Sequence, residues 1–480
     1  MLTINNKSNY IRKELTSVLL RHFFNDELKE KIDRIPIDLN PRQENTYRCC
    51  IFKDRAMTRY RIMALLGISI EKDDDEYRSL GSFLEEALNR KEIETPVLTV
   101  IDTACSSCAK VSYHVTDECK GCLARPCQTN CPASAVTFIN GRSIIDKDKC
   151  RNCGKCRELC PYNAIIYTPV PCEDSCPVGA VQRDENGRMN IDYDKCIFCG
   201  KCSRSCPFGA VMERSQIIDV AQHIKNGGES VAILAPSVIG QFPGSIGQIA
   251  GALKKAGFSA VMEAAGGAEQ TAKEEAAEFT HKMESGEKIM GTSCCPAYVA
   301  AVEKHVSGFK PFISDTRTPM HYAALSAGEM FPGAKKVFIG PCTAKKNEAL
   351  RDKSADWVLT FEELGAMFIA LDIDVDDCAE DEIISDGATF FSRAFPATKG
   401  VSDALLQHLS PEMKAVYNPL LVDGLSRKSL NLLKVAAGGK LKNNMLEVMS
   451  CEGGCICGPG VISNPKITLK KLNSFLDRAG

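Results

Sequence analysis

Two adjacent thiols, Cys294 and Cys295, stand in Thr292-Ser293-Cys294-Cys295-Pro296. Two further cysteine stretches follow, Gly340-Pro341-Cys342-Thr343-Ala344-Lys345-Lys346 and Glu447-Val448-Met449-Ser450-Cys451-Glu452-Gly453-Gly454-Cys455. Ahead of them, residues 105–206 carry sixteen of the chain's 25 cysteines. Thiols in such numbers serve as disulfides or as metal ligands. The first fifteen residues are polar and lack the apolar core of an export signal, and the CxxC spacing is tight. Metal ligation in a reducing cytoplasm is therefore the expectation. Cys295, Cys342, Cys451 and Cys455 can supply four thiolates to one centre from three loops, which only a folded domain could gather.

The early cysteines fall into four groups. Cys119, Cys122, Cys127 and Cys131-Pro132 read CxxCx4CxxxCP. Cys150, Cys153, Cys156 and Cys160-Pro161 read CxxCxxCxxxCP, as do Cys196, Cys199, Cys202 and Cys206-Pro207. Cys172 and Cys176-Pro177 give only CxxxCP. This is the bacterial ferredoxin spacing, in which three cysteines of one run hold a cluster and the fourth crosses to another. Zinc ribbons pair CxxC units and have no need of CxxxCP. The crossover rule assigns Cys119, Cys122, Cys127 and Cys160 to one [4Fe-4S] cluster. It assigns Cys150, Cys153, Cys156 and Cys131 to a second, and Cys196, Cys199, Cys202 and Cys176 to a third. Cys172 and Cys206 are left over. With the detached pair Cys105 and Cys108 they would complete a fourth; the alternative is three clusters, with Cys105 and Cys108 as free thiols.

The elements that must position these groups follow from composition and periodicity. A chain of 480 residues exceeds one core. A net charge of −2 offers no argument for nucleic acid, and no apolar run is long enough to span a membrane. Arg55–Leu66 and Ser79–Lys91 have helical spacing, so residues 1–96 read as a helical N-terminal domain, ending near Glu94-Thr95-Pro96. Residues 97–165 and 166–214 read as two ferredoxin-like cluster domains, too poor in apolar residues to fold without their metal cross-links. From 215 to 480 short apolar runs (231–234, 260–262, 288–290, 336–339) alternate with helix-like segments such as 245–256 and 271–284. That alternation predicts a largely parallel sheet with helices on its faces, and chemistry on loops at strand carboxyl ends. Ala235-Pro236-Ser237, Thr292–Pro296 and Pro341–Lys345 each follow such a strand. The fold class expected is α+β multidomain: helical, then ferredoxin-like, then a C-terminal α/β domain.

TSCCP, PCTAKK and EVMSCEGGC together resemble the three signature stretches of the [FeFe]-hydrogenases, over residues 100–463. TSCCPAY suggests the branch called group B. The resemblance implies a two-lobed domain holding an H-cluster. This is a [4Fe-4S] cubane joined through a cysteine sulfur to a diiron unit bearing CO, cyanide and a bridging azadithiolate. It implies Cys295, Cys342, Cys451 and Cys455 as cubane ligands, with Cys455 bridging. Cys294 would pass protons, Lys345 would bind one cyanide, Ala235-Pro236-Ser237 would contact the other, and Met449 would lie near the bridging region. Splitting hydrogen needs a metal and a base, and a thiol relays a proton without leaving a permanent charge beside the metal. Alone, Lys345 would read as a surface lysine; its place three residues after Cys342 points to the anion instead.

The helix matching the family's relay carries Glu275 and Glu278 on one face, the other reading being a solvated acidic face, and Ser314 falls where the relay serine does. Gly340, Met320, Cys457 and Pro459 depart from the family pattern. Cys457, Cys378 and the pair Cys49-Cys50 read as buried, inert thiols, and the seven histidines lack ligand spacing. The expected function is reversible proton reduction to H2, with ferredoxin as electron carrier and with dedicated maturation proteins. A hydrogen sensor or a non-catalytic iron–sulfur scaffold are the alternatives. No flavin or nicotinamide fingerprint is present.

Overall fold

The computed structural model describes residues 6–42, 46–73, 75, 77–93, 95–105, 108, 112–184 and 188–479. Met1–Asn5 of the polar N-terminus and Glu94 of the expected boundary lie outside the described residues.

The expected helices form at Ile51–Leu65 and Leu80–Asn89, and a third, Lys7–Phe24, precedes them. Asn6 and Ser79 cap two of these by accepting backbone N–H bonds, which satisfies donors a helix start leaves unpaired. These helices do not close a core of their own. Leu15, Leu19, Ile62 and Phe83 share one apolar cluster with Ile217, Val220, Leu364 and Phe368 of the C-terminal region.

The cysteine-rich segment is built from antiparallel two-stranded ladders. β1 (Leu98–Val100) pairs with the last strand of the segment, β8 (Val211–Glu213). Between them, β2 (Tyr113–Val115) pairs with β5 (Ile165–Tyr167), β3 (Val136–Ile139) with β4 (Arg142–Ile145), and β6 (Val181–Arg183) with β7 (Met189–Ile191). Cys172, Cys176, Cys196, Cys202 and Cys206 are buried among Val100, Ile101, Val181 and Val211, so thiols make up much of this core.

The single sheet expected after residue 215 is two sheets, both parallel. One has the order β10 (Ala260–Glu263), β9 (Ser230–Leu234), β12 (Lys335–Ile339), β13 (Trp357–Leu359). The other has the order β11 (Met290–Gly291), β15 (Met445–Met449), β14 (Pro419–Asp423). The apolar run at 288–290 belongs to the second sheet because its partner is the strand 445–449, 155 residues away along the ladder at Met290 and Met445. β9, β10 and β15 are buried along their whole length, as parallel strands covered on both faces must be. The helix Ala265–Glu284 begins just after β10 and reaches the second sheet, where Phe279 packs with Met290 and Met445. No described helix is long and apolar enough to cross a membrane.

Candidate metal centre

Four strand ends converge on one pocket. β9 runs into Ala235-Pro236-Ser237, β11 into Thr292–Cys295, β12 into Gly340–Cys342 and β15 into Ser450–Cys455. Cys295 and Cys342 are the extended N-cap residues of two ten-residue helices, Pro296–His305 and Thr343–Asp352. A helix start carries partial positive charge and favours a thiolate. Pro296 sits at the first turn, where its missing N–H costs nothing. The loop Cys451–Cys455 closes through Gly454 at φ +85, where an added Cβ would fall 2.4 Å from the Pro396 carbonyl oxygen. Only glycine fits there.

The quartet shares one desolvated pocket. Burial pushes the Cys342 thiol up to about 12, and Cys295 adds to the push. Cys451 is driven well up by burial, then by Cys342, Cys455 and Cys295. Cys455 is driven up by burial, then by Cys342 and Cys295. Metal binding would convert these thiols to thiolates and release their protons. No His, Cys, Asp or Glu group among the described residues is arranged to hold a single metal ion.

Cys294 is held differently. Its thiol is raised well above the ordinary value by burial, then by Glu275. It packs with Met449 and Cys455 on Ala268 and Phe395. Glu275 is fully buried on the helix Ala265–Glu284. Its Oε1 accepts from Ser293 N at 2.7 Å and from Ser293 Oγ at 2.9 Å, while Oε2 has no partner among the described residues. Burial pushes this carboxyl up to about 7, against the lowering pull of the two Ser293 bonds. One turn on, Glu278 accepts from Ser314 Oγ and pairs with Lys282 Nζ at 2.9 Å. Burial would raise Glu278, but Ser314 and Lys282 outweigh it and hold the carboxyl below its usual range. A cavity of about 240 Å³ touches Ser293, Ser314, Asp315, Arg317 and Glu348. Of the two relay candidates, then, one is protonatable near neutrality and one stays charged nearer the surface.

Lys345 is buried, and its Nζ lies 2.8 Å from Glu348 Oε2 outside hydrogen-bonding angles. Burial lowers its affinity for the proton, but Glu348 more than restores it, so Lys345 stays an ammonium. Lys345 Nζ, Ser237 Oγ, Thr343 Oγ1 and Ser450 Oγ are all buried without a hydrogen-bond partner. Each orphan costs about 1–3 kcal/mol unless something accepts from it. Three unpaired hydroxyls and the Lys345 ammonium, in the loops that carry the four half-buried thiols, fit a group with several anionic acceptors, as the cyanides of an H-cluster are.

The structure also gathers the early cysteines. Cys119, Cys122, Cys127 and Cys160 line one small cavity. Cys156 lies in the field of Cys150, Cys153 and Cys131, and Cys202 in that of Cys199, Cys196 and Cys176. Cys451 feels Cys199, so the third group borders the late quartet. Cys105 and Cys108 pack on the cluster containing Cys172 and Cys206.

Some expectations fail. Cys49 and Cys50 are exposed, because Cys50 is the N-cap of the helix Ile51–Leu65 rather than part of its buried face. Cys378 and Cys457 are only half-buried; the Cys378 thiol donates to Asp374 O at 3.2 Å. Gly340 has no space for a longer residue, since a Cβ would fall 2.8 Å from the Phe338 ring. Met320 is fully buried. Sequence reasoning missed Ser293, which ties Glu275 to the thiol pair, and Glu348, which keeps Lys345 charged. Glu348 was findable as an i, i+3 charge partner; Ser293 was not, because its partner lies on another element. A cavity of about 720 Å³ lies elsewhere, between the helices Lys7–Phe24 and Phe361–Ala370.

Residues 229–459 match the family described as "Iron only hydrogenase large subunit, C-terminal domain", and residues 143–166 and 189–212 match the 4Fe-4S binding domain. Iron hydrogenase 1 of Clostridium pasteurianum is 29% identical over 423 residues, covering 73% of this chain and 71% of that one. The periplasmic [Fe] hydrogenase large subunit of Nitratidesulfovibrio vulgaris is 30% identical over 403 residues, covering 70% and 91%. A solved [FeFe]-hydrogenase structure, HydA(deltaEFG), aligns at 22% identity over 52% of this chain and 83% of its own, with a TM-score of 0.41. The cofactors are [4Fe-4S] clusters and the H-cluster. The chain belongs to the iron-only, or [FeFe], hydrogenases: a hydrogenase oxidoreductase served by iron–sulfur electron transfer.

Proposed function

We propose that the chain interconverts protons and H2 (2H⁺ + 2e⁻ ⇌ H2) with an acidic one-electron carrier of the ferredoxin class. The observation that carries this reading is a half-buried thiol at Cys294, packed with Cys455 and Met449 and lying in the field of the buried Glu275 carboxyl, beside the late cysteine quartet. Cys295, Cys342, Cys451 and Cys455 are assigned as cubane ligands, with Cys455 bridging to the diiron unit. When bound, the diiron unit supplies the open metal position at which hydrogen is made or split. Lys345 and Ser237 would offer N–H and O–H donors to its cyanides, Ala235 and Pro236 would shape that wall, and Met449 would pack beside it. Cys294 gives and takes the proton, passing it to Glu275. From there it reaches Ser314 and Glu278, then water near Lys282. Proton and electron leave by different faces, because the relay lies on the helix Ala265–Glu284 and the cysteine wire beyond Cys451.

Electrons enter at the exposed end of the wire. Cys153 is exposed, while Cys196 and Cys202 are buried. Around Cys153 stand exposed Lys147, Lys149, Arg151, Lys155 and Arg157, against Asp146, Asp148 and Glu158. That positive excess favours an acidic partner, by a contact that salt would weaken. The domain limits 96/97, 165/166 and 214/215 are kept as helical cover, distal module, proximal module and catalytic unit, although residues 98–100 pair with the proximal module. Dedicated maturation proteins would load the diiron unit. The group B assignment rests on Ala297-Tyr298, and a cytoplasmic location on the thiol chemistry.

A second reading, a hydrogen sensor with slow turnover, draws on buried Met320 and on Gly340 packed against Phe338. Infrared spectra of the matured protein test both readings. Bands of CO and cyanide are expected, and their absence refutes both. Hydrogen evolution from reduced methyl viologen then separates enzyme from sensor.

A further inference from the structure

Four of the sixteen early thiols lie outside the three quartets of the wire. Cys172 and Cys206 are buried, and Cys105 and Cys108 are half-buried on the same apolar cluster. Neither Cys105, Cys108 nor Cys172 falls within the matched 4Fe-4S regions, 143–166 and 189–212. We propose that Cys105, Cys108, Cys172 and Cys206 form a fourth [4Fe-4S] site of their own, and that it joins the distal and proximal cysteine modules.

Geometry carries the assignment. The fourth cysteine of every run accepts a hydrogen bond at sulfur from the backbone N–H four residues on. Ala135 N donates to Cys131 Sγ at 3.3 Å, Ala164 N to Cys160 Sγ at 3.4 Å and Ala180 N to Cys176 Sγ at 3.2 Å. Ala210 N donates to Cys206 Sγ at 3.4 Å. Cys206 is thus built like the crossing ligands, with a donor that favours thiolate, although its run offers it no cluster to cross to. The detached CxxC supplies one. Ile101 N donates to Ala210 O at 2.7 Å, continuing the β1–β8 ladder and fixing the strand before Cys105 to the strand after Cys206. Arg183 donates to Cys108 O at 3.0 Å and pairs with Glu173 at 2.9 Å, holding Cys108 against the short helix that carries Cys172. Cys105 and Cys108 pack against the one apolar cluster that contains both Cys172 and Cys206.

The position is a junction. The connector that bears Cys105 and Cys108 leaves β1, which is tied to the proximal module, and arrives at β2, which pairs with β5 of the distal one. Ser112 N, between them, donates to Asn152 Oδ1 at 3.1 Å, inside the distal CxxC. A cluster here takes one electron from the distal module and gives it to the Cys176–Cys202 quartet, with no bond made or broken.

The inference rests on the other quartets being cluster sites, and the test keeps the two apart. Full-length protein with Cys105→Ser and Cys108→Ser is matured and purified without oxygen. Iron is expected to fall by about four per chain, and one reduced-cluster signal is expected to vanish from the paramagnetic resonance spectrum. The infrared bands of CO and cyanide should stay, and H2/D⁺ exchange with them, while evolution driven by ferredoxin drops. Cys49→Ser with Cys50→Ser should change none of these. Unchanged iron and spin count in the Cys105/Cys108 variant overturns the site; missing infrared bands in the parent sink the hydrogenase centre and leave this site standing. In the unsubstituted protein, iodoacetamide should modify Cys105 and Cys108 only after a chelator has removed iron. Modification of the intact protein overturns the site even if the variant fails to fold.

Discussion

Glu275→Gln separates a relay carboxyl from a structural one. Burial holds this group at about 7, against an ordinary 4.5. Below pH 4.5 both folded and unfolded chains keep the proton, so its contribution to stability is complete. As the pH rises through the folded value, the unfolded chain ionises first and that contribution is lost, about 3 kcal/mol in all. Between pH 5.5 and 8 the loss is about 2 kcal/mol by the same linkage. Glutamine does not titrate, so the variant should lack this slope. Its Oε1 can still accept from Ser293 N and Oγ, at 2.7 and 2.9 Å in the parent. Its Nε2 replaces an unpartnered oxygen and costs about 1–3 kcal/mol if nothing accepts from it. That offset moves the level of stability and leaves the slope alone. Urea midpoints of parent and variant at several pH values read the slope, and methyl viologen assays read turnover. Turnover should fall about 10²- to 10⁴-fold, the usual worth of a positioned acid–base group, with iron content unchanged. Equal pH slopes in the two proteins, or full turnover in the variant, would refute the reasoning.

Cys295→Ala should lose the cubane iron, whereas Cys294→Ala should keep it and lose turnover; iron loss in the second would overturn the division of roles within the pair. Lys346→Met should cost about 3–5 kcal/mol in a urea titration, because it strands two buried carboxylates: Glu363 at 2.8 Å and Glu213 at 3.4 Å from Nζ. A cost under about 1 kcal/mol would show that solvent reaches the network. Gly454→Ala, whose Cβ would press on Pro396 O, should deplete the late quartet of iron while the distal resonance signals persist; full iron content would mean that the loop has room to shift.

Legibility followed the range of the interactions. The early quartets could be proposed from the sequence because three of each four cysteines lie within ten residues, and the crossover rule supplies the fourth. The helix 80–89 showed its apolar period, whereas the buried face of 51–65 also takes in Asp54, Thr58 and Arg61. The second sheet was hidden, since β11 is two residues long and its partners lie beyond residue 418. So was the shared core of the N-terminal helices: an apolar face says that something covers it, never what. Lys345 was found through its motif, but the reason it keeps its proton, Glu348, needed the coordinates to show both side chains buried. Glu274, Glu275 and Glu278 look alike on paper. Tyr322 donates to Glu274 at the helix surface, Glu275 is sealed under Ser293, and Glu278 stands between Ser314 and Lys282.

The order of the wire is set by contacts made between ligand positions. Gly200, in the loop between Cys199 and Cys202, adopts φ +72, and a Cβ there would fall 2.8 Å from Thr343 Oγ1, one residue beyond Cys342. Lys201 donates to Leu425 O at 2.5 Å, and Arg204 reaches the carbonyls of Gly458 and Pro459 just past Cys455. Lys304, on the helix that starts after Cys295, donates back to Cys196 O at 2.8 Å. The ties reach the helix starts after Cys295 and Cys342, the segment after Cys455, and Leu425, whose N–H donates to Ser450 O. Sliding the two apart would strand buried carbonyls on both sides, at about 1–3 kcal/mol each. On the proposed route, the gap between Cys199 and Cys451 is therefore fixed by the fold, and it does not depend on the partner proposed to dock near Cys153.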